Sequence, residues 1–358
     1  MINEPIFKQK KTLLFTLEYP PFKGGVANYY GNVVKYWDDE SIKVLTGKKL
    51  LKPHWIFSLW RLWQAVKKHR IQTVLVGHIL PLGTVTWLLR KIIKFDYVVF
   101  LHGMDLTFAM KSRRKKWLAR RILADAKKII CANSYAAKIA GEIVNSGKVA
   151  VVNPGIEVRS MKSEVRSDEL KKKYNLQGKK ILLQVGRLVK RKGYDKVIET
   201  LPEVLKQVPN LVYIIIGDGP ELDNIKYSIL NIKDNVLILT DVNDEELEAW
   251  YDLCDIFIMP SRDMDGDFEG FGIVYLEANA HGKPVIAGDS GGVRDAVKDG
   301  VNGLLVNPEN TEEIADAIIK LYKDDELRIK LGEQGREWVK EFSWENKVKE
   351  IKQKLSGN

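Results

Sequence analysis

Hydrophobic residues in this chain fall in short, β-branched runs bounded by turn residues, with amphipathic stretches between them. The first half predicts strands at 12–17, 42–46, 73–77, 97–101, 128–132 and 149–152. The second predicts them at 181–185, 211–216, 235–239, 255–259, 284–287 and 303–306. Runs as continuous as Tyr-Val-Val-Phe-Leu and Leu-Val-Tyr-Ile-Ile-Ile belong to strands covered on both faces, as in parallel sheets. Regular alternation with helical stretches gives the same answer, so the pattern predicts an α/β chain of two doubly wound, Rossmann-like lobes. The joint is expected at Val152-Asn-Pro-Gly-Ile156, where Pro and Gly halt regular structure. A basic, polar stretch over 159–180 follows, which gives domains of 1–157 and 158–340. Phe342-Ser-Trp-Glu-Asn-Lys then reads as a Ser-capped helix start, after the second lobe is complete.

Size agrees with two domains, because 358 residues exceed one ordinary hydrophobic core. With 45% hydrophobic and 29% charged residues, the composition is globular and excludes disordered and fibrous classes. No apolar run reaches the roughly 18–20 residues that cross a bilayer. Met1-Ile-Asn-Glu-Pro carries no signal-peptide pattern, so a cytoplasmic location is expected. Cys131 and Cys254 lie within apolar runs and read as small core residues, with no metal framework around them.

Charge changes the picture. Residues 1–158 hold 27 Lys/Arg against 10 Asp/Glu, whereas residues 159–358 hold 30 against 37. The first lobe is therefore expected to meet something anionic. Its densest basic stretch contains Arg113, Arg114, Lys115, Lys116 and Trp117, and continues through Arg120 and Arg121. That stretch reads either as a solvated helix face or as an adhesive for acidic lipid, at about 1 kcal/mol per cation near such a surface. The run Trp55-Ile-Phe-Ser-Leu-Trp60-Arg-Leu-Trp63 puts Phe57, Trp60 and Trp63 near one face of a helix. Core packing and a membrane-proximal acceptor explain that face equally well.

Ligands of open α/β sheets bind beyond the carboxyl ends of the strands, and four loops there carry chemistry. Gly24 and Gly25 precede a helix and let backbone N–H groups approach an anion. His102-Gly103-Met104-Asp105 places an imidazole at a strand end, and His78 has a similar position. Gly186-Arg187-Leu-Val-Lys190-Arg191-Lys192-Gly193 offers Arg187 and Lys192 as a clamp for two linked phosphates, with Lys190 and Arg191 expected to face solvent. Finally, Glu269-Gly270-Phe271-Gly272-Ile273-Val274-Tyr275-Leu276-Glu277 sets two carboxylates around a glycine turn that opens a helix. Carboxylates accept hydrogen bonds from sugar or ribose hydroxyls, and free N–H groups at the helix start suit phosphate or hydroxyl oxygens. A further glycine loop, Gly288 to Asp295, is expected to support the same site.

Taken in order, these loops resemble the retaining glycosyltransferases of family 4, which have the two-lobed GT-B fold, over nearly the whole chain. The Glu269 to Glu277 segment matches that family's paired-glutamate motif, and Gly186-Arg187…Lys192-Gly193 matches its diphosphate clamp. Val152-Asn-Pro-Gly155 and Phe342-Ser-Trp344 also look like the family, in which the terminal helix (341–358 here) crosses back to the first lobe. Leu80-Pro-Leu-Gly-Thr84 and Asp265 to Ala278 are most similar to phosphatidylinositol-mannoside mannosyltransferases and related bacterial enzymes. Asp295 departs from the pattern, since the family's second glycine loop often ends in glutamate. The resemblance implies lobes facing a central cleft, with Gly24 and Gly25 opposite the donor phosphates and His102 near the transferred sugar. It implies that Glu269, with the backbone of Phe271 and Gly272, holds sugar hydroxyls and phosphate, and that Glu277 holds the ribose. Gly186, Gly270, Ile273 and Val274 complete the implied donor set.

The expected activity is transfer of a hexose, mannose or glucose, from a GDP- or UDP-linked sugar to a hydroxyl of a lipid-linked or glycan acceptor. Configuration is retained, by a same-face or a double-displacement route. No cofactor or metal is expected, with Arg187, Lys192, Glu269 and His102 as the catalytic set. The partners are then a nucleotide sugar, the acceptor and an acidic membrane surface, with the protein peripheral on its inner face. The rival reading is a non-catalytic protein that binds a nucleotide sugar or anionic lipid. Nucleic-acid binding lacks a stacking platform.

Overall fold

The computed structural model describes residues 11–22, 24–37, 41–47, 54–157 and 164–356. The opening residues and part of the 159–180 stretch lie outside them, as does the side chain of Trp55. All twelve predicted strands form, each within one residue of the expected ends. In the first unit they are β1 (Thr12–Thr16), β2 (Ile42–Thr46), β3 (Thr73–Val76), β4 (Asp96–Leu101), β5 (Lys128–Cys131) and β6 (Val149–Val151). In the second they are β7 (Lys180–Val185), β8 (Leu211–Ile216), β9 (Val236–Leu239), β10 (Ile256–Met259), β11 (Val285–Gly288) and β12 (Gly303–Val306). Each set makes one parallel sheet, in the orders β2-β1-β3-β4-β5-β6 and β12-β11-β10-β7-β8-β9. β1, β3, β7, β8, β10 and β11 are buried at almost every position, as their unbroken apolar sequences require. Cys131 and Cys254 are free and buried within these cores.

The two compact units divide between Gly155 and Ile156, and again between Ser343 and Trp344. The helix Trp344–Ser356 therefore belongs to the first unit. Its Trp344, Val348 and Ile351 are buried in one cluster with Leu14, Tyr29, Phe100 and Val152. Gly155 makes that return possible, because a Cβ there would stand 2.6 Å from Trp344 Cδ2.

Candidate functional site

In each sheet the chain adds strands outward in one direction, then returns and adds them in the other. The resulting switch points, β1/β3 in the first unit and β7/β10 in the second, are where crevices for ligands open. The Gly24, Arg187 and Glu269 loops follow β1, β7 and β10, the His102 loop follows the neighbouring β4, and the Gly288–Asp295 loop follows β11.

After β7, the Arg187–Gly193 loop is held from below by buried polar groups. Gln184, with no exposed surface, donates Nε2 to the Lys192 carbonyl at 2.8 Å and accepts from the Tyr213 hydroxyl. Tyr194 donates to the Gly186 carbonyl at 2.9 Å. Lys192 Nζ bonds Glu269 Oε2, and Arg191 Nη1 bonds the same oxygen at 2.7 Å. Burial alone would raise the Glu269 carboxyl, but Lys192 and Arg191 outweigh it and hold the group below the usual carboxylate range.

This arrangement corrects the expectation that Arg191 faces solvent. Its side chain is only 19% exposed and also meets Asp267 at 3.1 Å. The cause is the loop after β10, whose Arg262 N–H donates to the Arg191 carbonyl at 2.9 Å and whose two carboxylates lie against the guanidinium. Lys190 is exposed, as expected. Arg187 is also exposed, and its side chain has no partner among the described residues, so it differs from the already paired Lys192.

The helix Ile273–Ala280 opens from Gly272, which has φ of 80°. The N–H groups of Phe271, Gly272 and Ile273 donate to no described residue. Tyr275 pins this helix to β10 by donating to the Met259 carbonyl at 2.6 Å. From the Gly288–Asp295 loop, Gly292 N–H donates to the Glu269 carbonyl at 2.9 Å, so that loop does brace the segment. Glu277 stands in the second turn, where its Oε2 accepts from the Tyr251 hydroxyl at 2.8 Å. Burial and then the Glu277 charge push the Tyr251 phenol well up, so it stays protonated and donates. Tyr251 in turn stacks on His281 (5.6 Å, 23°), which is gripped by Asp252 at 2.5 Å and Glu248 at 2.9 Å.

In the first unit, Gly24 precedes the helix Gly25–Lys35, and the space beside Gly25 is open. His102 follows β4, and its Nε2 lies 2.9 Å from the Tyr30 hydroxyl. Burial, with His78 adding to it, lowers the His102 imidazole to about 4. Asp105 secures the turn by accepting from the N–H groups of His102, Gly103 and Leu106 at 3.1, 3.0 and 3.1 Å. The basic stretch forms the helix Arg113–Asp125, capped by Ser112, with Arg113, Arg114, Lys116 and Trp117 exposed. On the helix His54–His69 the core face is Ser58, Leu62 and Val66. Phe57, Trp60 and Trp63 are 41%, 50% and 43% exposed, which removes core packing as their explanation.

The sequence reading missed Gln184, Tyr213 and Tyr251, which act through other residues. Each sits in an apolar or helical run, where only the cost of burying an unpaired polar group hinted at a partner.

Comparison with known proteins gives this geometry a family. Residues 14–160 match "Glycosyltransferase Family 4", and residues 166–338 match "Glycosyl transferases group 1". The chain is 27% identical to the GDP-mannose-dependent alpha-(1-6)-phosphatidylinositol monomannoside mannosyltransferase of Mycobacterium tuberculosis, over 97% of this chain and 98% of that one. It is 26% identical to a GDP-mannose-dependent monoacylated alpha-(1-6)-phosphatidylinositol monomannoside mannosyltransferase of Corynebacterium glutamicum, covering 94% and 95%. Among solved structures, HepE of Anabaena superposes with a TM-score of 0.82 in complex with UDP and 0.78 with UDP-glucose. The identities are 19% and 18%, and each match covers 97% of this chain and 100% of the other. Two parallel six-stranded sheets flanked by helices, with these neighbours, make the fold GT-B. The chain belongs to the glycosyltransferases of family 4.

Proposed function

We propose that this glycosyltransferase moves a mannose, with retention of configuration and without a metal ion, from GDP-mannose to a hydroxyl of a lipid-linked glycan or polyol. One observation carries the reading. At the β7/β10 switch point, exposed Arg187, buried Lys192, the Glu269 carboxylate and the N–H groups of Phe271, Gly272 and Ile273 belong to one unit and one crevice end. Breaking the glycosidic bond puts negative charge on the diphosphate, and Arg187 and Lys192 stabilise it in the place of a divalent cation. Glu269 Oε2 is occupied by Lys192 and Arg191, which orients the carboxylate toward sugar hydroxyls, and Glu277 takes the ribose. Mannose and guanosine are favoured by the near full-length mannosyltransferase relatives, whereas the HepE complexes keep UDP-glucose as the competing donor.

A membrane-borne acceptor, and with it a peripheral location, is supported by the first unit. Exposed Phe57, Trp60, Trp63, Phe108 and Trp117 accompany the cations of the Arg113–Asp125 helix. No helix among the described residues is long and apolar enough to cross a membrane.

The test is a thermal-shift panel of GDP, UDP and ADP and their hexose conjugates, because a ligand of the folded state raises its melting temperature. GDP and GDP-mannose are expected to give the largest shifts, and turnover to survive chelator. Product NMR then reads the anomeric configuration. No response to any nucleotide sinks the proposal.

A further inference from the structure

Two helices of the second unit, one leading into β10 and one following it, carry a polar cluster of which the proposed function uses only Glu277. The helix Asp244–Leu253 supplies Glu248, Tyr251 and Asp252. The helix Ile273–Ala280 supplies Glu277 and, one turn later at its C-cap, His281. Tyr251 is 1% exposed, and a hydroxyl buried so deeply needs a partner. It donates to Glu277 Oε2 at 2.8 Å.

The two glutamates of the motif are held by different chemistry. Glu269 meets the cations Lys192 and Arg191, whereas Glu277 receives a neutral hydroxyl from Tyr251. A neutral donor orients a carboxylate without cancelling its charge, so the group keeps its strength as an acceptor. The last side-chain torsion of a glutamate is broad, and a partner is needed to set the carboxylate plane. A carboxylate has about four lone-pair sites, so one hydroxyl orients it without filling it. Tyr251 is itself fixed. Its ring stacks on His281 (5.6 Å, 23°) and lies 6.0 Å from the Phe257 ring. His281, 7% exposed, sets Nδ1 2.5 Å from Asp252 Oδ1 and Nε2 2.9 Å from Glu248 Oε2. Three residues of one helix thereby grip two of the other.

We propose that Tyr251 is a positioning residue for the donor ribose, setting the Glu277 carboxylate against its 2′- and 3′-hydroxyls, with His281, Asp252 and Glu248 holding Tyr251 in turn. The inference rests on the assignment of Glu277 to the ribose in the function proposed above. A carboxylate whose plane is already set loses less freedom when two vicinal hydroxyls bind it. The diphosphate separates the ribose from the glycosidic bond that breaks. Tyr251 therefore acts on donor binding and not on the chemical step.

Calorimetric titration of the wild type and Tyr251→Phe with GDP, UDP and their 2′,3′-dideoxy forms tests this role. Tyr251→Phe deletes one oxygen and keeps the ring that packs on His281. For whichever nucleotide binds more tightly, the wild type is expected to prefer the ordinary form to the dideoxy form by about tenfold or more. Tyr251→Phe should weaken the ordinary form about tenfold and the dideoxy form less than twofold. A merely structural effect would weaken both forms alike, and that result overturns the positioning role. So does a loss within twofold on the ordinary form. A wild type that does not distinguish the two forms overturns the ribose assignment itself, and the role of Tyr251 with it. In a Glu277→Ala background, Tyr251→Phe should change nucleotide affinity less than twofold, and a further tenfold loss there also overturns the role. In turnover, Tyr251→Phe should raise KM for the nucleotide sugar about tenfold with kcat within twofold of wild type.

Discussion

Lys192 and Glu269, 77 residues apart, form a buried ion pair in which Lys192 Nζ bonds Glu269 Oε2. The two residues proposed to meet opposite ends of the donor therefore position each other before it arrives. Lys192→Ala, or Arg187→Ala, is expected to lower kcat by about 10²–10³, the cost typical of losing one preorganised donor to a developing anion. The two differ in stability, because only Lys192 has a buried partner to strand. A double-mutant cycle with Lys192→Met and Glu269→Gln should show a coupling of about 1–3 kcal/mol in urea unfolding. Arg187→Ala should unfold like wild type. Near-wild-type turnover in folded Lys192→Ala or Arg187→Ala would overturn the catalytic assignment.

Arg191 predicts a contrast with its neighbour. It shares Glu269 Oε2 with Lys192 and reaches Asp267, whereas Lys190 is exposed. Arg191→Ala should lower kcat/KM for the donor about tenfold, through a carboxylate that is no longer held on both sides. Lys190→Ala should stay within twofold in the same assay.

Much of this was legible in the chain, and the reasons are physical. Strand existence and parallel pairing follow from unbroken apolar runs, and the position of the candidate loops at the strand ends follows from which residues trail those runs. The misplacement of Arg191 has a simple cause: four cations in six positions look alike until Asp267 and Glu269, more than 70 residues on, choose among them. Tyr251 was hidden in the same way, since a tyrosine within a helical stretch reads as core until a carboxylate is found at its hydroxyl. The aromatic residues at 57, 60 and 63 stayed ambiguous because helical periodicity gives a face but not what covers it. The burial of Ser58, Leu62 and Val66 settles that.

Gly193 allows Lys192 to enter the site. Its φ is 74°, and a Cβ there would stand 2.3 Å from the Pro260 carbonyl oxygen. Gly178 has nearly the same φ, 70°, with nothing within 4 Å of the added carbon. Gly178→Ala should cost only the left-handed backbone penalty, about 1–2 kcal/mol. Gly193→Ala must also move backbone, and the total is expected to exceed about 3 kcal/mol. Parallel urea melts give the difference, and equal costs would show that the Pro260 contact yields freely.

His102 makes stability depend on pH. Its imidazole titrates at about 4 in the fold and near 6.5 as an unconstrained side chain. Between those values the unfolded chain takes a proton that the folded chain refuses, so stability is full above about 6.5 and falls as pH drops toward 4. Between pH 7.5 and 5.0 the loss should be on the order of 2 kcal/mol. His102→Gln removes this group, so its unfolding free energy should fall less over the same interval. Parallel slopes for the two proteins would mean that His102 is not held neutral.

The exposed aromatic and basic residues of the first unit predict how the enzyme meets its acceptor. Phe57, Trp60 and Trp63 lie on one face of their helix, Lys115 sits 3.6 Å over the Phe108 ring, and Arg121 sits 5.6 Å over the ring of exposed Trp117. Aromatic side chains favour the level of the lipid headgroups, and each cation near an anionic surface adds about 1 kcal/mol. On phosphatidylglycerol vesicles, neutralising Arg113, Arg114 and Lys116 together should weaken binding about 100-fold at low salt and flatten its salt dependence. Trp60→Ser with Trp63→Ser should weaken binding while leaving the salt dependence intact, since the charges remain. Neither variant touches the second unit, so the thermal shift with nucleotide should be unchanged in both. Co-sedimentation across a salt series separates the two contributions; a wild type that stays in the supernatant would overturn the membrane contact, and binding that survives both sets of changes would overturn its assignment to these residues.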